Sequence, residues 1–132
     1  FAMTYVSAAL AADIQMPTSN SFVIGPSATI GPGTWLVNAH ATLNRSATTA
    51  ATYTVRIALG STTVASTSQY HASVAGIATN VSLTCIVSTG ASTTIGIRAA
   101  TSAGATTELL KASSPTNADG NNATIITALK IG

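Results

Sequence analysis

Two histidines and three acids are the groups from which this chain of 132 residues could build acid–base or nucleophilic chemistry: His40 and His71, with Asp13, Glu108 and Asp119. A serine nucleophile needs a histidine to take its proton and an acid to hold that histidine, and no Gly-x-Ser-x-Gly turn presents such a serine here. Glycoside hydrolysis needs two carboxylates about 5 to 9.5 Å apart. Asp119 falls in a polar loop and Glu108 on an expected outer strand, and nothing in their spacing pairs them. No Gly-rich loop runs into Lys-Ser or Lys-Thr to cradle a phosphate, and two isolated histidines make no metal site within one subunit. The lone Cys85 supplies neither an internal disulfide nor a cysteine-based zinc site, and its neighbours Leu83 and Val87 predict a buried, inert thiol. These residues describe a protein that is not an enzyme and takes no cofactor or metal.

Recognition has better candidates. The polar loop Ser113 to Asn122 offers Asn117, Asp119, Asn121 and Asn122, whose amides and carboxylate suit sugar hydroxyls. Thr67 to Ser73 adds Gln69, Tyr70 and His71, with an aromatic ring that could stack on a sugar. The same residues are ordinary turn-formers, and plain turns explain them as well. Asn44-Arg45-Ser46, Asn80-Val81-Ser82 and Asn122-Ala123-Thr124 match the N-glycosylation pattern, as chance provides in a chain so rich in Ser and Thr.

Only 6% of the residues are charged, whereas 46% are hydrophobic. A soluble monomer usually carries about four times that charge, so part of this surface is expected to be covered by copies of itself or by a partner. Five cations stand singly along the chain against three acids, with no Lys or Arg cluster to neutralise phosphates, which argues against a nucleic-acid partner. No apolar run approaches the 18 or so residues of a spanning helix, so no membrane span is expected. Phe1 in place of an initiator Met suggests a missing or processed leader, while Val6 to Ala12 is too short and lacks the preceding basic residues of a signal peptide.

The elements that must position these groups are strands. Alternation of period two, broken by Gly, Pro, Ser and Asn clusters, runs almost end to end and predicts an all-β fold. Thr34 to Asn44 is the clearest strand, with Trp35, Val37, Ala39, Ala41 and Leu43 facing the core and Asn38, His40, Thr42 and Asn44 facing away. His40 therefore reads as a solvated side chain. Tyr53, Val55, Ile57 and Leu59 repeat the pattern, and Gly60-Ser61 turns the chain into Val64 to Tyr70. Further strands are expected at Val81 to Val87, around Ile95 and Ile97, at Thr106 to Lys111, and at Ala123 to Ile131. Leu10 to Met16 is divided, Ala-rich in its first half and strand-like in its second, and Ile24-Gly25-Pro26 and Ile30-Gly31-Pro32 read as turns before Trp35.

This strand order, with "GPGTWLVNAHATLN", "VSLTCIVSTGASTTIGIRAATS" and the closing "ATIITALKIG", resembles the jelly roll of the tumour-necrosis-factor and complement-globular-head superfamily, over roughly residues 10 to 132. It is most similar to the small bacteriophage members that form fibre tips, head fibres or decoration proteins. The resemblance implies an antiparallel two-sheet jelly-roll sandwich, with 1–132 a single domain and 1–9 an N-terminal arm or linker. It also implies a virion location, a homotrimer with one sheet on the threefold axis, contacts with other virion proteins through the N-terminal segment, and adhesion to host-surface glycans. A cellular carbohydrate-binding or adhesin domain outside any virion is the alternative. Aromatic residues, at 5%, are too few to suit a cytokine-like role.

Laid onto such a trimer, the segments around Arg56, Arg98 and Ile126 to Lys130 share the axis-facing sheet. Alternation then puts Thr54, Arg56 and Ala58, then Gly96, Arg98 and Ala100, then Ile126, Ala128 and Lys130 on its outer face. Small residues would allow close approach, Ile126 would add apolar burial, and the three cations would need acids, carbonyls or a trapped anion across the interface, Asp13 being the expected acid. The other reading leaves these cations on a solvated rim.

Overall fold

The computed structural model describes residues 3–45, 50–71, 78–113 and 120–132. Within them the chain forms strands β1 (Tyr5–Ala9), β2 (Ile14–Met16), β3 (Val23–Ile30), β4 (Gly33–Arg45) and β5 (Ala51–Leu59), and no helix. It continues through β6 (Thr62–His71), β7 (Ala78–Thr89), β8 (Thr93–Thr101), β9 (Ala105–Leu110) and β10 (Ile125–Lys130). Every pairing is antiparallel, and the strands make two sheets packed as a jelly-roll sandwich.

Sheet A is built on β4, because that strand is long and bonded on both sides. β7 runs along one side from Gly33 to Asn44. On the other side β10 pairs with Trp35 to His40 and β9 takes over from Leu43 to Arg45; β1 then flanks β10, and β2 flanks β9. The handover from β10 to β9 leaves a gap in the ladder at Thr42, which side chains fill. Thr42 N–H donates to Thr124 Oγ1 at 3.2 Å, and that hydroxyl donates to the Lys111 carbonyl at 2.7 Å. Both threonines are buried, and a buried backbone donor left without an acceptor would cost on the order of 1–3 kcal/mol. Sheet B has the order β3-β8-β5-β6.

Alternation decides which side chains enter the core. Trp35, Val37, Ala39, Ala41 and Leu43 from β4 meet Tyr53, Val55 and Ile57 from β5 and Ile95 and Ile97 from β8, all buried. The β5–β6 hairpin turns at Gly60, whose φ of +61° is the left-handed conformation that glycine adopts without a Cβ clash.

Three expectations change. Residues 5–9, expected in an arm, pair with β10 as strand β1 and send Val6 and Ala8 against the core. Ile24-Gly25-Pro26, expected as a turn, lies within strand β3, whose register slips between Ile24 and Ser27, whereas Gly31 and Pro32 stand between β3 and β4. Pro26 has no N–H for the ladder, and a bulge is where a strand tolerates proline. In the last strand the faces are exchanged: Ile126 and Ala128 lie in the core, and Ile125, Thr127 and Leu129 face out. Both faces of that strand carry apolar residues, so its own pattern does not choose between them. The register does, since Ile126 pairs with Ala39 and Ala128 with Val37, both core-facing, and a slip of one residue would invert every side chain.

Candidate functional site

The outer face of sheet A is laid out in rows across four strands. One row is apolar: Tyr5 pairs with Leu129, Leu129 with Leu36, and Leu36 with Ile86. Tyr5 is 61% exposed and Ile86 64%. The next row is Ser7, Thr127, Asn38 and Thr84, with Thr84 Oγ1 donating to Asn38 Oδ1 at 2.7 Å. The third is Ala9, Ile125, His40 and Ser82. His40 Nδ1 lies 2.9 Å from the Ala123 carbonyl, which can only accept, so Nδ1 carries the proton and Nε2 is left for other partners. These rows contain no Lys, Arg, Asp or Glu. A shallow cleft of about 360 Å³ opens between Asn38, His40, Ser82, Thr84, Asn122 and Thr127.

The outer face of sheet B carries the arginines. Arg56 of β5 is the direct cross-strand partner of Arg98 of β8, and their row continues to Ile24 on β3 and Ser66 on β6. The Arg56 guanidinium lies 3.6 Å from the centroid of the Phe22 ring, and Arg98 Nη2 donates to the Gly60 carbonyl at 3.3 Å.

The expected interface set is therefore divided. Arg56, Gly96 and Arg98 lie on sheet B, whereas Ile126, Ala128 and Lys130 belong to β10 in sheet A. Ile126 and Ala128 are core residues and present nothing to a neighbour. Lys130, at the strand end, stands so close to Gly33 that a Cβ there would meet its Cε at 2.6 Å. Gly96 answers to its own sheet, since a Cβ would come within 3.0 Å of Ser27 Cβ and 3.2 Å of the Pro26 carbonyl. Asp13, expected opposite Arg56, Arg98 or Lys130, instead receives Lys111 Nζ at 2.6 Å and the Ala112 N–H at 2.8 Å. Burial pushes the Asp13 carboxyl up, and the hydrogen bonds from Lys111 and Ala112, together with the Lys111 charge, outweigh it and leave the group below its ordinary value.

The expected ligand residues also scatter. Gln69 and Tyr70 lie on strand β6, both exposed, while His71 beside them is 2% exposed and meets the Tyr53 ring edge-on at 5.7 Å. Period two explains why Tyr70 and His71 differ, because neighbouring residues of a strand point to opposite faces; Gln69 has the parity of His71 and is nevertheless exposed. Asn121 is tied to the Ala11 carbonyl at 3.2 Å, and Asn122 borders the cleft beside His40. Asn117 and Asp119 lie outside the described residues. Cys85 is half-buried against the core, and burial pushes its thiol up.

One cluster escaped the sequence. Arg45 and Glu108 form an ion pair with both side chains fully buried, and Tyr53 OH donates to Glu108 Oε2 at 2.7 Å. Strand parity carried the signal: Arg45 continues the odd-numbered core face of β4, and Glu108 stands two residues before the buried Leu110. The cluster lies inside the sandwich, where it joins the sheets instead of meeting a substrate. Among the described residues no three His, Cys, Asp or Glu side chains gather to hold a metal.

No family model matches the chain, and no curated protein does. Its fold is similar to chains in solved structures of infectious bursal disease virus. In the Gx strain the TM-score is 0.60 at 16% identity, over 98% of this chain and 32% of the viral one. For the T13 viral particle the values are 0.59 and 12%, over 96% and 34%. For the VP2 subviral particle they are 0.51 and 14%, over 97% and 37%. The chain spans about a third of the length of the viral proteins it matches. At these identities the likeness is one of fold alone.

Proposed function

We propose that the chain is a structural protein of a virus particle and acts by homotrimeric assembly, with the outer face of sheet A turned towards its copies. The observation that carries the reading is the apolar row Tyr5, Leu129, Leu36 and Ile86 on a face whose rows hold no Lys, Arg, Asp or Glu. Water leaves such a face with little charge to desolvate, so burial favours association. Strands spaced about 4.8 Å and rising about 3.3 Å per residue give β1, β10, β4 and β7 a footprint of roughly 570 Å², of the same order as the roughly 800 Å² per partner of a stable interface. The assignment to a virion is supported by the fold shared with chains of virus particles and by the low charge of the whole chain. A bacteriophage fibre tip, head fibre or decoration knob is the form the sequence resemblance favours. Other virion proteins would join near Met3, which is exposed at the N-terminal edge.

Light scattering on the purified chain tests the assembly. We expect three times the monomer mass for the wild type and a monomer for Ile86→Glu, which places a charge on an exposed site and leaves the core intact. A monomeric wild type overturns the reading. Antibody labelling of purified particles tests the location, and label confined to cells would favour an adhesin outside the virion.

A further inference from the structure

We propose that the free margin of β1 pairs antiparallel with β1 of a second copy, across a twofold axis at Ser7, so that sheet A runs on from one chain into the next. The bonding of β1 to its neighbour shows which groups are left for this. Lys130 N–H donates to the Thr4 carbonyl and Leu10 N–H to the Thr124 carbonyl, both at 2.9 Å, between residues that the β1–β10 register sets opposite one another. Bonding in an antiparallel ladder alternates along the strand, so Val6 and Ala8 also bond to β10. The N–H and C=O groups of Tyr5, Ser7 and Ala9 therefore point away from β10, towards the margin. β3 of the other sheet lies beneath β1, and no described residue bonds the backbone of these three.

A second β1 fits this margin in the register that uses the whole strand. Outward residues then oppose outward residues, Ser7 against the partner's Ser7 and Tyr5 against the partner's Ala9, and each such couple exchanges both of its hydrogen bonds. Side-chain sizes agree with that register, since the large Tyr5 meets the partner's Ala9 on the outer face and Val6 meets the partner's Ala8 on the core face. Val6 and Ala8 pack against the core and yet are only half-buried, so a further strand would finish covering them. β1 holds no charged residue and no proline, and its register is unbroken. The other strands on this side carry the features that blunt an edge: Pro26 and a bulge in β3, and a bulge in the short β2. A contact one strand wide falls well below the roughly 800 Å² per partner of a stable interface, so lone copies pair weakly, whereas copies crowded on a particle pair through many such contacts at once. The inference goes beyond the assembly reading, because it uses the backbone margin of sheet A and the trimer uses its outer face.

The test is amide hydrogen exchange of the intact chain, followed residue by residue by nuclear magnetic resonance at about 30 µM and about 1 mM, on either side of the ~0.1 mM dissociation constant of a weak contact. We expect the Tyr5, Ser7 and Ala9 amides to exchange about threefold more slowly at the higher concentration, since only unpaired chains expose them. The readout is the same whether the chain stands alone or in a trimer. Ser7→Pro removes an outward N–H and no bond to β10, and it should abolish the concentration dependence at Tyr5 and Ala9. Ser7→Ala keeps that N–H and should retain the effect. Exchange at these three amides that is independent of concentration overturns the proposal, and the wild type alone decides this if Ser7→Pro does not fold. Slowing confined to the β7 margin, or an effect that survives in folded Ser7→Pro, also overturns it.

Discussion

Tyr53 and Glu108 meet across the interior of the sandwich, the phenol hydroxyl of one sheet donating at 2.7 Å to the carboxylate Oε2 of the other. The carboxylate also holds Arg45, so one buried acid links β4, β5 and β9. Such a cluster is costly to desolvate, and its value lies less in net stability than in how much is lost when one member is removed. It also fixes how the sheets sit, because no slid arrangement would keep all three polar groups satisfied.

Removing Glu108 should therefore be severe. Glu108→Ala leaves the Arg45 charge in the core without its carboxylate, and we expect a loss of about 3–5 kcal/mol in denaturant unfolding. Tyr53→Phe removes one donor and keeps the ring against His71, so a smaller loss of about 1–3 kcal/mol is expected. Equal losses in the two variants would contradict this ranking.

Tyr53 itself should resist ionisation. Burial raises its phenol to about 12, against a lowering by the Arg45 charge. A folded-state value above the unfolded one of about 10 means that this contribution to stability is complete below pH ~10 and is lost as the pH rises through the folded value. Ultraviolet titration of the wild type should show a phenolate step above the ordinary tyrosine range that is absent from Tyr53→Phe.

Asp13 works in the opposite direction. Its folded value lies below the ordinary carboxylate value, so its contribution is present above pH ~4 and disappears as the pH falls through the folded value. The side chain is 35% exposed and solvent screens the pair, so the contribution should be only about 0.2–1 kcal/mol. Thermal midpoints of the wild type and Asp13→Asn should differ at pH 7 and converge in strong acid.

Gly104 has no room for a side chain. A Cβ there would stand 2.4 Å from Ser19 N and 2.5 Å from the Thr18 carbonyl carbon, both backbone atoms that cannot swing aside. Gly104→Ala should cost about 1–3 kcal/mol, as overpacking does, whereas Gly90→Ala, with open space around it, should be nearly neutral.

The sequence made β4 and β5 legible because each alternates along most of its length and one face of each is buried, with Thr42 and Ala58 buried against the alternation. It left β3 hidden, since Gly25-Pro26 reads as a turn unless the neighbouring strand that tolerates the bulge is known. In β10, residues of both parities are apolar, and only the pairing with β4 tells core from surface. That one inversion misassigned Ile126 and Ala128 to a subunit contact. Their outward neighbours Ile125, Thr127 and Leu129 are the residues that sheet A presents. The apolar row on that face could not be read locally, because its four members come from four strands and are aligned by register alone.

The double-sided bonding of β4 also fixes which part of the chain lets go last. With β7 on one side and β10 and β9 on the other, its amides meet water only when a neighbouring strand departs. β1, β6 and β7 lie at sheet margins and can fray one at a time. Under native conditions the β4 amide protons should therefore exchange with deuterium at the rate of whole-molecule opening, while those of the marginal strands exchange by local excursions long before.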